Sequence, residues 1–403
     1  MNASESVAIT LRIASIVVFS FLTFLAIGLP LAILPGYVHD TLGFGSVMAG
    51  LTISIQYIAT LFTRPIAGKI ADSIGPKKGV IAGLFGCGIC GILTFISTLL
   101  QDFQVASLVL LIIGRVFLGC AQALIGTGSL SWGMGSVGMQ HVSKVISWNG
   151  IAAYGALAIG APLGVAMVSS LGLWSLGVSI VLLAAIGLAL AWNKEPAPVI
   201  PGERLPFLRV FWRISPYGLG LLLSSIGFGT IATFITLYYG SHGWPNAAYS
   251  LTAFGAAFIC ARLLFAGTVN RFGGYPVAIA CFIVETLGLL LLWLAVSPGM
   301  AMAGAALAGF GLSLVYPALG VEAIVKVPAT NRSAALGAYS LCLDMSLGIT
   351  GPVAGSIANA FGFNSIYLFA AIMSLAGLLL CLYLFKQAQR AMETPNARQD
   401  RPS

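Results

Sequence analysis

The sequence predicts an all-α integral membrane protein with about twelve crossings, built as two pseudo-symmetric six-helix bundles. Three observations point there. Of 403 residues, 59% are hydrophobic and only 7% are charged, where an ordinary soluble domain is about one quarter charged, and mean hydropathy is +1.00. Apolar stretches recur at roughly the 20-residue length that crosses a bilayer. Short motifs also repeat between the two halves of the chain. Disorder is excluded by so apolar a composition, and the 49 glycines follow no G-X-Y period, which excludes collagen. They suit close helix crossings in lipid.

Cutting at charges, Gly and Pro clusters and polar turns places spans at about 11–37, 45–70, 79–100, 105–132, 144–169, 174–193, 215–240, 247–269, 276–296, 300–326, 334–360 and 365–386. The polar, proline-rich stretch NKEPAPVIPGERLPFLRVFWR separates the sixth from the seventh. The expected organisation is an N-terminal six-helix bundle over 1–193, a cytoplasmic linker over 194–214, a C-terminal six-helix bundle over 215–386 and a disordered cytoplasmic tail over 387–403. A polar leader without an A-x-A site reads as part of a retained first helix.

Orientation follows from the basic residues. Lys69, Lys77, Lys78, Lys144, Lys194, Arg204, Arg209, Arg213, Arg271, Lys326 and Arg332 fall in even-numbered loops, Arg12, Lys386, Arg390, Arg398 and Arg401 fall towards the two ends, and the odd-numbered loops carry no Lys or Arg. Positive charge near short loops stays inside, so both termini are expected in the cytoplasm. All seven tryptophans lie near predicted helix ends, as an aromatic belt requires. Topology thus accounts for the net charge of +8 without a nucleic-acid patch. The seven cysteines lie within apolar runs, and Cys87 and Cys90 form a C-x-x-C without a second pair. No disulfide framework, metal site or cofactor is expected. The short loops suit a bacterial inner membrane, and a monomer is expected.

The halves repeat. A shift of 198 lays Arg64–Gly75 on Arg262–Gly273, pairing Arg64 with Arg262, Asp72 with Asn270 and Gly75 with Gly273. A shift of 190 pairs Pro162 with Pro352 and brings the GAPLG at Gly160 near the GPVAG at Gly351, which ends on Gly355. Parallel six-helix repeats mark secondary transporters that rock around a midplane site.

At these residues the chain resembles the major facilitator superfamily over essentially its whole length. The loop Gly68-Lys-Ile-Ala-Asp72-Ser-Ile-Gly75-Pro-Lys77-Lys78 is similar to that superfamily's G-x-x-x-D-x-x-G-r-[RK] loop between helices two and three, with Pro76 in place of a basic residue. The resemblance implies a cytoplasmic gate motif of Arg64, Gly68, Asp72, Gly75, Lys77 and Lys78. Within it, Asp72 would latch against the start of the eleventh helix, where a positive helix terminus favours a carboxylate. The structural alternative is a tight turn with topogenic charge. Arg115-Val-Phe-Leu-Gly119 resembles the R-x-x-x-G motif linked to proton coupling in the family. Arg115 follows Val105 by ten residues, hence ~15 Å into the span, and reads as the only Lys or Arg at such depth. A buried guanidinium is costly unless paired or hydrated, so it should face a cavity. The run Gly155–Gly164 is similar to the family's G-x-x-x-G-P-x-x-G-G exporter signature, with Ala161 ahead of Pro162 and Gly164 alone at its end. Export is implied, although Gly160 and Gly164 also make the small-residue stripe that any close crossing uses.

Two acids lie deep as well. Asp344 and Glu285 each reach ~14 Å into their spans, the eleventh and ninth. In the resemblance the eleventh helix lines the cavity and the ninth lies outside it. Asp344 is therefore expected to bind protons or solute, and Glu285 to tie helices together. Gln56, Gln122, Asn149, Tyr154, Tyr316 and Tyr339 are candidates for the solute surface, with interhelical ties as the alternative. His39 and Asp40 suit a solvated cap. No G-x-x-x-x-G-K-[ST], H-E-x-x-H or G-x-S-x-G occurs, so neither ATP-driven pumping nor an embedded hydrolase is expected. The expected function is a proton-coupled secondary transporter, an antiporter exporting a small organic solute or drug by alternating access, with the lipid bilayer, protons and the solute as partners. Import of a small metabolite and solute sensing are the alternatives. In sequence texture the chain resembles the twelve-helix drug/proton antiporter branch, near arabinose-efflux-like and YhhS- and YfcJ-type permeases.

Overall fold

A computed structural model of the chain describes residues 3–138, 141–197, 207–265, 267–327 and 332–393. Its long helices are α1 (Ala3–Leu31), α2 (Gly45–Ser73), α3 (Pro76–Leu99), α4 (Gln104–Val137), α5 (Val142–Leu171), α6 (Trp174–Trp192), α7 (Phe207–Ser241), α8 (Ala248–Leu264), α9 (Gly274–Trp293), α10 (Pro298–Val325), α11 (Arg332–Phe361) and α12 (Asn364–Glu393). Among the described residues eleven of these are long and apolar enough to cross a membrane, and α8 is shorter at 17 residues. A short α-helical turn at Leu34–Gly36 and a π-helical turn at Tyr37–Thr41 follow α1, and a short helix at Thr268–Phe272 follows α8. Each expected span thus corresponds to one helix. Helix is the only way an isolated segment satisfies its own backbone in lipid.

Contacts sort the helices into two groups. In the first, α3 packs on α4 and α6, α1 on α4 and α5, and α2 on α4. In the second, α9 packs on α10 and α12, α8 on α10, and α7 on α11 and α12. The groups meet along two seams, α2 against α11 and α5 against α8. The repeat is visible in the backbone too. Gly75 (φ 102°) and Gly273 (φ 86°) precede α3 and α9 in the left-handed region, where a Cβ would be strained. The side chains of Asp72 and Asn270 lie outside the described residues.

Three expectations need correction. Residues 387–393 are not a disordered tail, because α12 continues to Glu393: Gln387 Nε2 donates to the Tyr383 hydroxyl at 2.8 Å, and Arg390 in the last turn suits the helix dipole. Likewise α7 starts at Phe207, inside the expected linker. Residues 198–206 and 394–403 lie outside the described ones. Trp132 is no belt residue. It is buried, stacks on Phe19, and donates its indole N–H to the Glu195 carbonyl at 3.0 Å, fixing the chain just beyond α6.

Candidate functional site

Among the described residues five charged side chains lie deep within the helix array: Arg64 on α2, Arg115 on α4, Arg262 on α8, Glu285 on α9 and Asp344 on α11. The expectation that Arg115 stands alone among the basic residues is therefore corrected. Arg64 and Arg262 occupy matching places in the repeat, and both point inward because α2 and α8 turn one face to the opposite half.

Arg64 and Asp344 form an ion pair across the α2–α11 seam. Nε and Nη2 of Arg64 donate to Oδ2 and Oδ1 of Asp344, the side-on fork that matches guanidinium to carboxylate. Asp344 is 1% exposed, whereas the Arg64 side chain is 25% exposed. Arg64 was grouped above with a loop motif, yet it sits nine residues, ~14 Å, before the end of α2. That depth, in a segment read as a span, was the available signal for its role.

Farther along the same seam the backbones approach closely. A Cβ on Gly351 would meet the Gly50 carbonyl, and one on Gly355 the Ser46 carbonyl. Ser54 Oγ donates to Leu347 O at 2.9 Å and accepts from the Gly351 N–H at 3.0 Å, and Ser46 Oγ donates to Gly355 O at 3.1 Å.

The α5–α8 seam is built differently. Pro162 cannot donate to the carbonyl four residues earlier, and Thr252 Oγ1 of α8 donates to that carbonyl, Ala158 O, at 2.8 Å. Thr252 is the repeat counterpart of Ser54 under the shift of 198, so this matched pair of hydroxyls bonds across the two seams, one at each. Tyr154 stacks on Phe258 with ring centroids 3.7 Å apart and meets Phe228 edge-on. Arg262 lies over the Phe258 ring of that stack, 4.9 Å from its centroid. Its Nη2 donates to Ser313 O at 2.6 Å, where α10 breaks between Leu312 and Val315 and leaves a carbonyl to be satisfied. Outward of Tyr154 the seam opens into an apolar groove of about 540 Å³ lined by Gly155, Ala158, Pro162, Thr252, Ala256 and Ile259 among others.

Arg115 is 2% exposed and donates from Nη1 to Gln56 Oε1 at 3.0 Å. Gln56 Nε2 in turn donates to Gln122 Oε1 at 2.8 Å. The glycine of R-x-x-x-G has a packing reason: a Cβ on Gly119 would strike the Gln56 carbonyl, and Thr60 Oγ1 bonds Gly119 O at 3.0 Å across the same contact. Tyr57 lies within electrostatic reach of Arg115, Tyr154 and Asp344, and Tyr316 within reach of Arg64, Arg262 and Asp344. One polar centre thus draws on α2, α4, α5, α8, α10 and α11.

Other sequence candidates fall elsewhere. Glu285 accepts from Ser224 of α7 at 2.6 Å and Ser374 of α12 at 3.4 Å, a tie inside the second half. Tyr339 is fully buried and donates to Tyr316 O at 3.2 Å, while Tyr316 bonds Ser340 at 2.7 Å. Asn149 Oδ1 is buried without a partner among the described residues. Gly160 and Gly164 press on Gly28 and Leu29 of α1 within their own half, and Gly155 faces Ile259. Of the gate motif, Gly68 has open space around it, Lys78 is exposed, and Lys77 Nζ donates to Trp192 O at 2.8 Å and Lys194 O at 2.6 Å, capping the negative end of α6.

Two six-helix groups meeting at paired seams around buried charge define a membrane transporter fold. The Major Facilitator Superfamily model matches residues 16–273 and 217–403, and the chain belongs to that family. It is 59% identical over 382 residues to an uncharacterised MFS-type transporter of Pseudomonas aeruginosa, covering 95% of each chain. It is 53% identical over 383 residues to one of Burkholderia pseudomallei, covering 95% of this chain and 94% of that one. Among solved structures, the nucleoside transporter NupG superposes with a TM-score of 0.72 at 16% identity, covering 93% of this chain and all (100%) of that one. The E. coli fucose:proton symporter FucP superposes with a TM-score of 0.66 at 16% identity, covering 93% and 98%. These structures establish the fold. The protein is accordingly a multi-pass membrane transporter acting on small solutes.

Proposed function

We propose that this transporter is proton-coupled and exports a small organic solute by alternating access, in the drug/proton antiporter manner its motifs resemble. The observation that carries the reading is the Arg64–Asp344 pair, which joins the two halves and depends on a charge that one proton removes. A proton added to a carboxylate oxygen of Asp344 leaves a neutral acid. Arg64 then loses its ionic partner, a partly buried guanidinium is left without a counter-charge, and the α2–α11 seam loses its ion pair. Release of that proton rebuilds the pair, so one proton switches the seam between a joined and a parted state. With both termini in the cytoplasm of a bacterium, the cross-seam contacts at Ser46, Gly50 and Ser54 close the outer side of the inner membrane. Asp72 belongs to the same cycle as the cytoplasmic latch its motif implies, and Arg115, Gln56, Gln122, Tyr154 and Tyr316 form the inner wall on which solute acts. The unit of function is a monomer.

A second reading, proton-driven import, is favoured by one observation, the fold shared with a fucose:proton symporter. Both are tested by accumulation of dyes, antibiotics and labelled sugars in cells expressing the parent or Asp344→Asn, with and without a protonophore. Export predicts lower accumulation with the parent alone, abolished by the protonophore. Raised accumulation of a solute assigns import, and a variant as active and as protonophore-sensitive as the parent removes Asp344 from coupling.

A further inference from the structure

Arg64 and Arg115 differ in one respect. On Arg64 the Nε–Nη2 edge, the side that presents two parallel N–H groups to a forked acceptor, is filled by Asp344. On Arg115 that same edge is empty: Nη1 is used by Gln56, while Nε and Nη2 are buried with no hydrogen-bond partner among the described residues. No described acid forms an ion pair with Arg115. A bare guanidinium edge this deep in a membrane protein is expensive, and the surrounding structure holds it in place. Gln56 fixes one nitrogen, Gln122 fixes Gln56, and the close approach at Gly119 fixes α2 on α4. The charge balance points the same way: among the described residues three arginines and two carboxylates lie deep in the array, with a single ion pair between them. Glu285 is bonded to hydroxyl groups instead.

We infer that the transported solute is an anion, and that its carboxylate or phosphate group seats side-on against Nε and Nη2 of Arg115. The inference rests on the transporter reading above and names the chemical class of its solute. A forked oxyanion supplies the two acceptors that the edge lacks and the negative charge that the centre lacks. Neutral sugars supply neither, and organic cations add to the excess. Both nitrogens are shut from solvent in this conformation, so loading requires the surrounding helices to part, as alternating access provides.

The test uses the purified full chain in nanodiscs, with thermal unfolding measured against matched sets: benzoate, benzamide and benzylamine; gluconate, glucose and glucosamine; glycerol 3-phosphate and glycerol; and a bacterial metabolite extract resolved by ion exchange into anionic, neutral and cationic fractions. Stabilisation confined to anionic members or the anionic fraction is expected, with carboxylate and phosphate members telling the two sources apart. Arg115→Lys, which keeps the charge and loses the fork, should weaken that anion's apparent affinity by roughly tenfold or more, and Arg115→Gln should abolish its effect. Stabilisation of the parent by neutral or cationic members, by no member at all, or by anions equally in Arg115→Lys overturns the inference. The parent's own preference decides the matter even where a variant fails to fold. Counterflow of the stabilising anion in proteoliposomes separates the two readings. Binding without exchange leaves the anion site standing and removes transport, whereas exchange of a neutral solute untouched by Arg115→Lys does the reverse.

Discussion

The two seams between the halves occupy equivalent places in the repeat and hold together by different chemistry. Along α2–α11 the backbones touch at Gly50 and Gly351, hydroxyls bond across at Ser46 and Ser54, and an ion pair closes the contact. Along α5–α8 one hydroxyl bonds across, aromatic rings stack, and an apolar groove stays open. Glycine placement explains part of the difference. Relative to the aligned prolines, Gly160 and Gly164 stand one residue out of step with Gly351 and Gly355, and one residue turns a helix face by about 100°. The stripe on α5 therefore faces α1 in its own half, and the stripe on α11 faces α2 across the seam. The remainder is a single exchange: the shift of 190 sets Tyr154 where the other half has Asp344, so Arg262 meets a ring stack in place of an acid. A duplicated scaffold can thus confine an acid, and with it an ion pair, to one of two matched joints.

Removing that charge should have the largest effect. Asp344→Asn or Arg64→Gln leaves one partner without its counter-charge at a cost of up to about 3–5 kcal/mol, read as lowered thermal stability, with proton-driven transport lost. An unchanged melting temperature and intact coupling in both variants would erase the distinction between the seams. Next comes the attempt to make them alike. Tyr154→Asp offers Arg262 an acid at the position equivalent to Asp344; it should tighten α5–α8 and slow turnover roughly tenfold, measured as initial transport rate. Faster turnover would show that the second joint is not limiting.

Much of this framework was legible in the sequence. The spans and the depth of Asp344 follow from counting residues against bilayer thickness, and the pairing of Gly75 with Gly273 follows from the repeat. Partnership was not, because residues 64 and 344 meet only through the packing of two helices from opposite halves. Arg64 was masked by its nearness to a loop motif, although it lies inside an apolar run, as does its repeat counterpart Arg262. Lys77 looked like a gate or topological charge because the carbonyls it caps belong to α6, more than a hundred residues away. Tyr339 and Tyr316 are indistinguishable by type and depth, and only the rotation of their helices makes one fully buried and the other half-buried.

Smaller changes sharpen the same contrast. Gly351→Ala should destabilise by about 1–3 kcal/mol, since its Cβ meets backbone of the other half. Gly155→Ala should cost far less, because its nearest neighbour is the flexible end of Ile259 at 3.4 Å. Equal melting temperatures would mean the seams are equally tight. Thr252→Val, which removes a single hydroxyl bond to Ala158 O, should cost only about 0.5–1 kcal/mol in the same assay; a loss as large as that of Asp344→Asn would place the critical joint at α5–α8.

The central claim is that protonation of Asp344 releases the α2–α11 seam. Spin labels at the exposed Thr41, four residues before α2, and Phe361, the last residue of α11, on a background with the native cysteines replaced, report the separation of these helix ends by pulsed electron–electron resonance in nanodiscs. The more protonated state must gain population on acidification. The parent should therefore shift from a short to a longer distance as pH falls, while Asp344→Asn should show the longer distance at every pH. A distance that does not respond to pH in the parent, or responds equally in the variant, would contradict the account.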